Sequence, residues 1–592
     1  MTDPAVERDS ASMEDRMLVD PRHGDIEDDA ASPGQRSLLA IAGSLLVEIS
    51  LPKLLFAWTV LLLLPAVLLG LAPLLVSAWL ATLSEKLAAL TGIGTALALL
   101  AIVAVGWIGW RPLLRIAENN FWSLNALAVQ PGYAFTREAL RHLTERMWGR
   151  KLTVVGRARL RSANSIGAAV LLSAGAVLIA MLAWPASRWT GGWNDLVLLH
   201  RLTVPTLANA ILLVSGYLAV ASLMWGFADA SMQQPVDLAT FDTASSDARR
   251  WRVAHLSDLH VIGEQYGFRI ESGRAGPRGN DRLERVLAHL AAIHAAGPLD
   301  HILVTGDMTD AGRASEWAAF LDAMARHPEL AARTILLPGN HDLNIVDRAN
   351  PARLDLPFSP NKRLRQIRTL SAMAAVQGDR VHIVDGNGKM AVTLSASLAP
   401  KRDSIVALAQ HGGLRRAAAL RGLFDDQFPM ILPPDAEGGL GIAVLNSNAE
   451  THFSFTNALG LVSVEQTHRL EAAIRHYPAA RWIFALHHHV VEYPMPVKAF
   501  SERIGTALIN GSWFVRKLDA LAGRTVVMHG HRHIDWIGAC GSLKIISAPS
   551  PVMNATDDAA THFYIHTLAA GPEGRLDLLP PQRVEIAGEK NA

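Results

Sequence analysis

Five short clusters of aspartate, asparagine and histidine are the residues of this sequence best suited to chemistry. They are SDLH (Asp258, His260), GDMTD (Asp307), GNHD (Asn340, His341, Asp342), LHHHV (His487, His488, His489) and GHRH (His531, His533). Each cluster alone is weak, because a Gly-Asp pair is usually a turn and short motifs often match by chance. Together they offer carboxylate, amide and imidazole ligands without a thiolate. That set suits two borderline divalent ions such as Mn, Fe or Zn.

Each cluster follows a short apolar run, and the position of these runs predicts that the clusters meet. The runs are WRVAHL, HILVTG, RTILLPG, IAVLNS, RWIFAL, RTVVMHG and LKIISAP. Short runs rich in Val and Ile that alternate with helical patterns predict buried strands of an α/β domain. Sites in such domains form where loops leave the carboxyl ends of the strands. We therefore expect the clusters to converge on one rim of a sheet.

The composition indicates membrane segments joined to a globular part. The chain has 592 residues, of which 50% are hydrophobic and 18% charged, and its mean hydropathy is positive. That is too apolar for an average soluble enzyme and too long for one ordinary domain. The net charge of +1 argues against a nucleic-acid polymer as partner. The single cysteine, Cys540, cannot form an internal disulfide, and we expect it to be a buried apolar residue.

Four runs almost free of charge, at about 54–80, 87–110, 165–184 and 203–227, are long enough to span a bilayer as helices. A helix packed on a soluble core would keep a polar stripe, which these runs lack. The sequence thus predicts a multi-domain chain. Its parts are a disordered acidic tail at 1–50, an all-α transmembrane region of four spans at 51–228, a linker at 229–248 and an α/β domain at 249–592.

The connector at 111–164 is rich in arginine, and the connectors on either side of it are poor in basic residues. The positive-inside rule then places this connector in the cytoplasm, and four spans leave both termini and the α/β domain there. We expect a multi-pass protein of the inner, or cytoplasmic, membrane. The segment FTREALRHLTERMWGRK within the connector has two equal interpretations, a helix on anionic lipid headgroups or a solvated helix. The spans carry no ionisable residue at depth, which favours an anchor or sensor over a pore.

The ordered motifs D-x-H, G-D, G-N-H-D, H and G-H-x-H, over residues 249 to about 570, resemble the calcineurin-like metallophosphoesterase superfamily. The resemblance implies two β-sheets sandwiched by helices, with a binuclear centre of two divalent metal ions at the strand ends. It also implies ligands: Asp258, His260 and His533 for one metal, Asn340, His531 and one histidine of 487–489 for the other, and Asp307 as the bridge.

Two assignments within the motifs remain open at this stage. Members of the family often have His-Pro where this chain has HHHVVE, so the histidine ligand is ambiguous, and we prefer His488 with His487 next. The resemblance gives His341 the role of catalytic histidine, which we expect Asp342 to orient. The basic segment 344–378 is expected to form a flap near the site or a solvated insertion. His529 has no assigned role.

The resemblance implies a metal-dependent phosphoric ester hydrolase that attacks a small phosphate ester with a hydroxide shared by two metal ions. The segment VLNSN and the ending IISAPS look like the class III cyclic-nucleotide phosphodiesterase branch, so a cyclic nucleotide is the first candidate substrate. A domain tethered to the lipid bilayer suggests an alternative, hydrolysis of a lipid-linked phosphate or pyrophosphate. A further alternative is a non-catalytic membrane sensor or scaffold. The sequence leaves the oligomeric state unknown.

Overall fold

The computed structural model describes residues 13–25, 59, 63–89, 97, 100, 101, 103–104, 129–148, 154–188, 198–264, 280–346, 355, 359–385, 390–451, 454, 457–494, 508–553 and 559–588. The chain divides into two compact units. After the roles that the sequence predicts, we name residues 45–232 the membrane unit and residues 1–44 together with 233–592 the catalytic unit. The catalytic unit is therefore built from chain on both sides of the membrane unit.

Helices occur in both units. The α-helices of the described residues, in chain order, are α1 (Met13–Arg16), α2 (Leu64–Ala89), α3 (Gln130–Trp148), α4 (Val154–Ser187), α5 (Leu199–Ser231), α6 (Asp281–Ala296), α7 (Ala314–Ala325), α8 (Pro328–Ala331), α9 (Asn340–Leu343), α10 (Pro360–Gln377), α11 (Leu394–Leu398), α12 (Arg402–His411), α13 (Leu414–Ala419), α14 (Val464–His476) and α15 (Gly511–Leu518). Short 3-10 helices occur at Pro21–His23, Ala399–Lys401, Asp425–Gln427, Asp519–Arg524 and Pro572–Gly574.

Three helices of the membrane unit are long and apolar enough to cross a bilayer. The qualifying segments are Leu64–Thr82 in α2, Ala158–Ser187 in α4 and His200–Ser231 in α5. Apolar side chains on them, such as Leu171 and Leu182, are exposed at 57% and 73%, as expected of groups that face lipid. The three segments agree with three of the four predicted spans. Most of the remaining one, at 87–110, lies outside the described residues.

Helix α3 buries some of its charged side chains and exposes several of its apolar ones. Arg137 and Glu138 are buried, and Arg137 donates to Oδ2 of Asp229 on α5 at 2.6 Å. Phe135 and Met147 are exposed at 54% and 67%. A solvated helix would show the opposite arrangement, because exposed charge and buried apolar surface are favoured in water. Of the two interpretations for this segment, the arrangement favours contact with lipid.

Fifteen strands of the described residues form the sheets of the catalytic unit. They are β1 (Val236–Asp237), β2 (Arg250–Leu256), β3 (His301–Val304), β4 (Thr334–Leu336), β5 (His382–Val384), β6 (Met390–Thr393), β7 (Met430–Leu432), β8 (Leu440–Val444), β9 (Arg481–Ala485), β10 (Thr525–His529), β11 (Trp536–Cys540), β12 (Leu543–Ser547), β13 (Thr561–Ala570), β14 (Leu576–Leu578) and β15 (Gln582–Ile586). Strand β1 lies within the predicted linker 229–248, where it pairs with β11.

The strands form two mixed sheets whose parallel strands carry the site. A nine-stranded sheet has the order β1-β11-β12-β10-β9-β8-β7-β5-β6, and a six-stranded sheet contains β14-β13-β2-β3-β4 with β15 beside β13. Strands β2, β3 and β4 are parallel, and so are β8, β9, β10 and β12. All seven predicted strands are present, and the predicted α/β domain with two β-sheets is confirmed.

One continuous hydrophobic cluster includes side chains from both sheets, for example Val253, Ile302, Val444 and Ile483. Helices lie against the sheets, with α10 contacting β4 and α6 contacting β15. Val, Ile and Leu dominate these strands because branched apolar side chains fill a surface that is buried. The core therefore fixes the strands, and the strands fix the loops at their carboxyl ends.

The segment expected to form a flap or a solvated insertion contains a core helix instead. Helix α10 occupies 360–377, and most of its residues are buried. Its arginines point into the domain, where Arg365 pairs with Asp355 and Arg368 pairs with Asp25. Basic residues appeared to indicate a surface segment because buried guanidinium groups need partners, and the partner of Arg368, Asp25, is distant in sequence.

The expectation of a disordered tail over residues 1–50 does not hold for residues 13–25, here named the N-terminal strap. Helix α1 and the 3-10 helix Pro21–His23 lie in it. Met17 and Leu18 are buried in the main hydrophobic cluster. The strap is short and polar in composition, but its few apolar side chains are packed against the catalytic unit. Other residues of the predicted tail lie outside those described.

Close packing of α2 on α5 gives a testable prediction for the membrane unit. A Cβ atom at Gly70 would lie 1.9 Å from the backbone oxygen of Thr206. We expect Gly70→Ala to destabilise the protein by about 1–3 kcal/mol, because the two helices must separate. Gly216→Ala on α5 is the control, since its Cβ would meet nothing within 4 Å. Thermal unfolding of the full chain in detergent measures both, and equal melting temperatures would contradict the packing.

Candidate metal centre

The loops after the parallel strands bring two clusters of ligand atoms together. The first cluster contains Asp258, His260 and His533. The second contains Asp307, His487 and His531, with Asn340 beside His487. Within each group of three, the ligand atoms lie within 4.8 Å of one another. Both expected ligand sets are therefore gathered by the fold, although their members come from five different loops.

Distances in the first cluster fit three atoms that face a common point. Nε2 of His533 lies 3.3 Å from Oδ1 of Asp258 and 3.4 Å from Nε2 of His260. Oδ1 of Asp258 accepts no hydrogen bond from the described residues, while Oδ2 accepts one from the His531 amide at 3.0 Å. The free carboxylate oxygen therefore faces the two imidazole nitrogens.

The second cluster identifies the histidine of the 487–489 run. Nε2 of His487 lies 3.0 Å from Oδ1 of Asn340, 3.3 Å from Oδ2 of Asp307 and 3.0 Å from Nδ1 of His531. Nδ1 of His488 instead pairs with Oγ of Ser447 at 2.9 Å. The preference for His488 is thus corrected in favour of His487, because the two rings leave the backbone in different directions.

Asp307 lies between the two clusters. Its Oδ2 is 3.3 Å from Nε2 of His487 in the second cluster and 3.9 Å from Nε2 of His260 in the first. Its Oδ1 accepts the His341 amide at 2.8 Å. This position agrees with the expected bridging role.

The backbone at five of the candidate ligands has positive φ. The values are 56° for Asp258, 46° for His260, 52° for Asp307, 77° for His531 and 52° for His533. Non-glycine residues rarely adopt this conformation, and it costs of the order of 1 kcal/mol or more at each position. Among the described residues the remaining case is Glu573. Such concentration of strain is typical of a functional site.

Glycines allow the loops to approach one another closely. A Cβ atom at Gly339 would lie 2.1 Å from both the amide nitrogen and Oδ1 of Asp307. A Cβ atom at Gly530 would lie 1.7 Å from Oγ of Ser257 and 2.6 Å from Oδ2 of Asp258. The Gly-Asn in GNHD and the Gly-His in GHRH therefore reflect space needed by the two carboxylates.

His341 is held by Asp310 rather than by Asp342. Nδ1 of His341 lies 2.7 Å from the backbone oxygen of Asp310, and the Asp310 carboxylate lies 3.5 Å from Nδ1 of His260. Because a carbonyl only accepts, Nδ1 of His341 carries the proton. Asp310 therefore contacts both histidines. It was missed in the sequence, although it ends the GDMTD motif.

Asp342 stabilises the loops instead. Its carboxylate accepts hydrogen bonds from the Thr309 amide and hydroxyl at 2.9 and 2.7 Å and from the Gly339 amide at 2.8 Å. These contacts join the loop after β3 to the loop after β4. Burial and the nearby Asp307 raise the pKa of Asp342 to about 6. The expectation that Asp342 orients the His341 ring is corrected, because its carboxylate accepts from Thr309 and Gly339 instead.

Further support comes from groups behind the ligands. Nδ1 of His487 pairs with the Thr305 oxygen at 2.8 Å, and Oγ of Ser447 accepts the His487 amide at 3.1 Å. The Ser550 hydroxyl donates to the backbone carbonyl oxygen of Asp258 at 2.7 Å. Such contacts set the orientation and tautomer of metal ligands. Sequence reasoning did not assign these residues, since hydrogen bonds to backbone leave little trace in a motif.

The pKa values of the candidate ligands bear on whether they can bind a cation. Burial lowers the pKa of His531 well below its usual value, and His488 and His487 lower it further. Burial alone would raise the pKa of Asp307, but His487 and His341 hold it well below its usual value. Burial alone would lower the pKa of His487, whereas Asp307 raises it to about 9.

These groups suit divalent cations. Ring nitrogens that face each other at 3.0 and 3.4 Å repel if both carry protons. Convergent lone pairs and two buried carboxylates are instead what a cation requires. His487 must lose its proton to bind one, so binding should release protons.

The variants His487→Ala and His488→Ala test which of these two histidines is the metal ligand. We expect His487→Ala to lower metal affinity by about 10–100-fold or more, because it removes a ligand atom. His488→Ala should lower it less, since the ring contacts Ser447 rather than Asp307 and Asn340. Manganese titration of the purified full chain measures both. A larger loss in His488→Ala would restore the sequence-based preference.

The chain is similar to one protein family and to several solved structures. Residues 252–427 match the calcineurin-like phosphoesterase family. A dimetal phosphatase from Danio rerio is similar over 57% of this chain and 99% of its own, with 11% identity and a TM-score of 0.32. The NAD nucleotidase of Haemophilus influenzae is similar over 58% of this chain and 57% of its own, with 10% identity and a TM-score of 0.28.

A purple acid phosphatase from yellow lupin is similar over 55% of this chain and 50% of its own, with 11% identity and a TM-score of 0.25. No curated protein sequence matches the chain. The family match includes the first three motifs, and the fold adds His487, His531 and His533 from beyond residue 427. Residues 252–427 thus match a calcineurin-like phosphoesterase domain, and this match together with the gathered ligands supports a metal-dependent phosphoester hydrolase.

Proposed function

We propose that the protein is a membrane-anchored phosphodiesterase that hydrolyses a small phosphate diester, with a cyclic nucleotide as the first candidate. The observation that carries the proposal is Asp307, whose Oδ2 faces ligand atoms of both clusters at 3.3 and 3.9 Å. The chemistry supplied by two bound divalent cations is neutralisation of phosphate charge and a strong nucleophile at neutral pH. Asp258, His260 and His533 would hold one ion, and Asn340, His487 and His531 the other.

His341 is the proposed proton donor to the leaving oxygen. Its Nδ1 is committed to the Asp310 carbonyl at 2.7 Å, so Nε2 is the atom that can transfer a proton. Its ring centroid lies 4.5 Å from that of the candidate ligand His260. A group so close to the first cluster can reach an ester oxygen bound there.

The residues that resemble cyclic-nucleotide phosphodiesterases lie behind the ligands. Gln466 accepts the Asn446 amide at 2.8 Å and donates to its carbonyl at 2.9 Å. Ser447, the next residue, accepts the His487 amide. These contacts explain the NSN of VLNSN as part of the support for a ligand loop. Support for a cyclic nucleotide therefore comes from the resemblance, not from a substrate contact.

A lipid-linked phosphate or pyrophosphate is the second candidate, favoured by the three helices able to cross a membrane. Such helices keep the catalytic unit near the bilayer, where headgroup phosphates are concentrated. A non-catalytic sensor or scaffold is less well supported. Neither Asp307 nor Asn340 would be needed at its position if no cation bound there.

We further propose that the catalytic unit faces the cytoplasm. The arginine-rich connector 111–164 supports this orientation. The N-terminal strap supports placing both ends of the membrane unit on one side, because residues before and after that unit pack in the same hydrophobic cluster. An even number of crossings is consistent with both features.

Turnover of bis(p-nitrophenyl) phosphate with Mn²⁺ tests the hydrolase proposal on the full chain in detergent. Asp307→Ala should lower kcat by about 100-fold or more, because it removes the group shared by both clusters. Asp426→Ala is a matched control, since this carboxylate is 69% exposed on its side chain. Absence of turnover in the unmodified chain, with none lost in Asp307→Ala, would favour the scaffold.

The same preparation compares the two substrate classes. Hydrolysis of cyclic AMP and of detergent-dispersed phospholipid is measured in separate reactions. The rate of Asp307→Ala on each substrate is the background. Faster Asp307-dependent release from cyclic AMP supports the first candidate. Faster release of headgroup phosphate from lipid would reverse the ranking.

Cysteine labelling tests the orientation in a Cys540→Ser background. We expect a membrane-impermeant maleimide to label Arg188→Cys in intact cells, because that residue follows α4 on the far side. His23→Cys, Arg146→Cys and Glu573→Cys replace exposed residues and should be labelled only after lysis. Labelling of His23→Cys and Glu573→Cys from opposite sides would contradict an even number of crossings. Labelling of Arg146→Cys in intact cells would contradict the orientation.

A further inference from the structure

The N-terminal strap is joined to the catalytic histidine by a continuous series of polar contacts. None of the motifs that suggested the function includes this strap. Its role therefore needs its own explanation, which begins with how firmly it is held.

Ser371 of α10 fixes the middle of the strap. Its hydroxyl accepts the Leu18 and Val19 amides, each at 3.0 Å, and donates to the Val19 carbonyl at 3.0 Å. A hydroxyl has one proton and two lone pairs, so these contacts use its full capacity. Arg402 also donates to the Met17 carbonyl at 3.0 Å. The strap is thus an integral part of the catalytic unit.

The end of the strap makes a buried ion pair with α10. Nε of Arg368 donates to Oδ2 of Asp25 at 2.6 Å, and Nη2 donates to Oδ1. The two side chains are 4% and 3% exposed. Breaking a buried pair by removing one partner is costly, because the remaining charge stays desolvated. Asp25 therefore helps to determine where the Arg368 guanidinium lies.

The same guanidinium holds the loop that positions His341. Nη1 of Arg368 donates to the Gly312 carbonyl at 2.9 Å. The Gly312 amide donates to Oγ1 of Thr309 at 3.1 Å. Between these two residues lies Asp310, whose carbonyl is 2.7 Å from Nδ1 of His341. A shift of this turn would move the group that sets the ring orientation and tautomer.

Helix α10 also holds the other side of the histidine. Nε of Arg365 donates to the Leu343 carbonyl at 2.9 Å, at the end of the short helix that carries His341. One face of α10 thus contacts both segments around the ring. The strap determines the position of Arg368 on that face.

We propose that Asp25, acting through Arg368, is a positioning residue for proton transfer by His341. This inference rests on the proposed function, in which His341 protonates the leaving oxygen. Loss of the Asp25 charge should loosen the 309–312 turn and misplace the ring. The two ligand clusters should be affected less than the His341 ring, because Asp25 pairs with Arg368, and Arg368 contacts the turn at Gly312.

Such a role has a signature that a general loss of stability lacks. A p-nitrophenolate group leaves without a proton, whereas a phenolate group, which is more basic, needs one. Damage to the proton donor therefore slows phenyl esters more than p-nitrophenyl esters. Damage to metal binding or folding slows both equally.

The experiment compares kcat of the manganese-loaded full chain on bis(p-nitrophenyl) phosphate and diphenyl phosphate. Asp25→Asn should lower kcat about tenfold on the phenyl ester and about twofold or less on the nitrophenyl ester, a fraction of the usual contribution of a general acid. Its metal content should be unchanged. Asp322→Asn is the matched control, because it removes a carboxylate that pairs with Arg22 of the strap at 2.9 Å. It should leave the ratio of the two kcat values unchanged.

The double variant Asp25→Asn with Arg368→Gln covers the case in which Asp25→Asn alone is unstable. Removing both charges should restore the melting temperature without restoring phenyl-ester turnover. Equal losses on both substrates, an equal effect of Asp322→Asn, or recovery of phenyl-ester turnover in the double variant would overturn the proposal.

His341→Ala separates this inference from the proposed function. If that variant loses phenyl-ester turnover selectively while Asp25→Asn behaves as the unmodified chain, only the positioning role is wrong. If the unmodified chain hydrolyses neither ester, or His341→Ala shows no selectivity, the proposed function is wrong.

Discussion

Burial of the Asp307 carboxylate is the constraint on which the arrangement of the site depends. The residue is 2% exposed, and an isolated buried carboxylate costs several kcal/mol. The fold offsets this cost by placing the His341 amide and the His487 ring on its two oxygens. Those partners come from the loops after β4 and β9, which lie in different sheets. A single carboxylate therefore links the two sheets at their carboxyl edges.

The strained backbone follows from the same constraint. A strand rises about 3.3 Å per residue and points residues i and i+2 to the same face, so a continued strand would hold Asp258 and His260 about 7 Å apart, whereas their ligand atoms lie within 4.8 Å of each other. Positive φ at both residues redirects them. The free-energy cost of this backbone strain is offset by the large apolar cluster behind the loops, in which β2, β3 and β4 are anchored. The ligands are thus positioned by the core rather than by one another, which leaves their lone pairs available for cations.

The sequence predicted the parts of this arrangement that depend on local pattern. Runs of Val and Ile identified the strands, and clusters at their ends identified the ligands. The choice between His487 and His488 depended on how the chain leaves β9, which no spacing reveals. The contact between Asp310 and His341 uses a backbone carbonyl and so has no residue signature. The strap looked disordered because its partners are far away in sequence, with Ser371 more than 350 residues from Leu18.

The strap also makes the catalytic unit depend on two separate parts of the chain. A catalytic unit made from chain before and after the membrane unit is complete only when both parts are present. A chain that begins at residue 245 would lack Met17, Leu18 and Asp25, as well as β1, which pairs with β11. Loss of activity in such a chain would then have two causes, absence of the membrane and absence of the strap. Dependence on the membrane is therefore separated from dependence on the strap only in the full chain, where lipid can be varied while Asp25 and Arg368 stay paired.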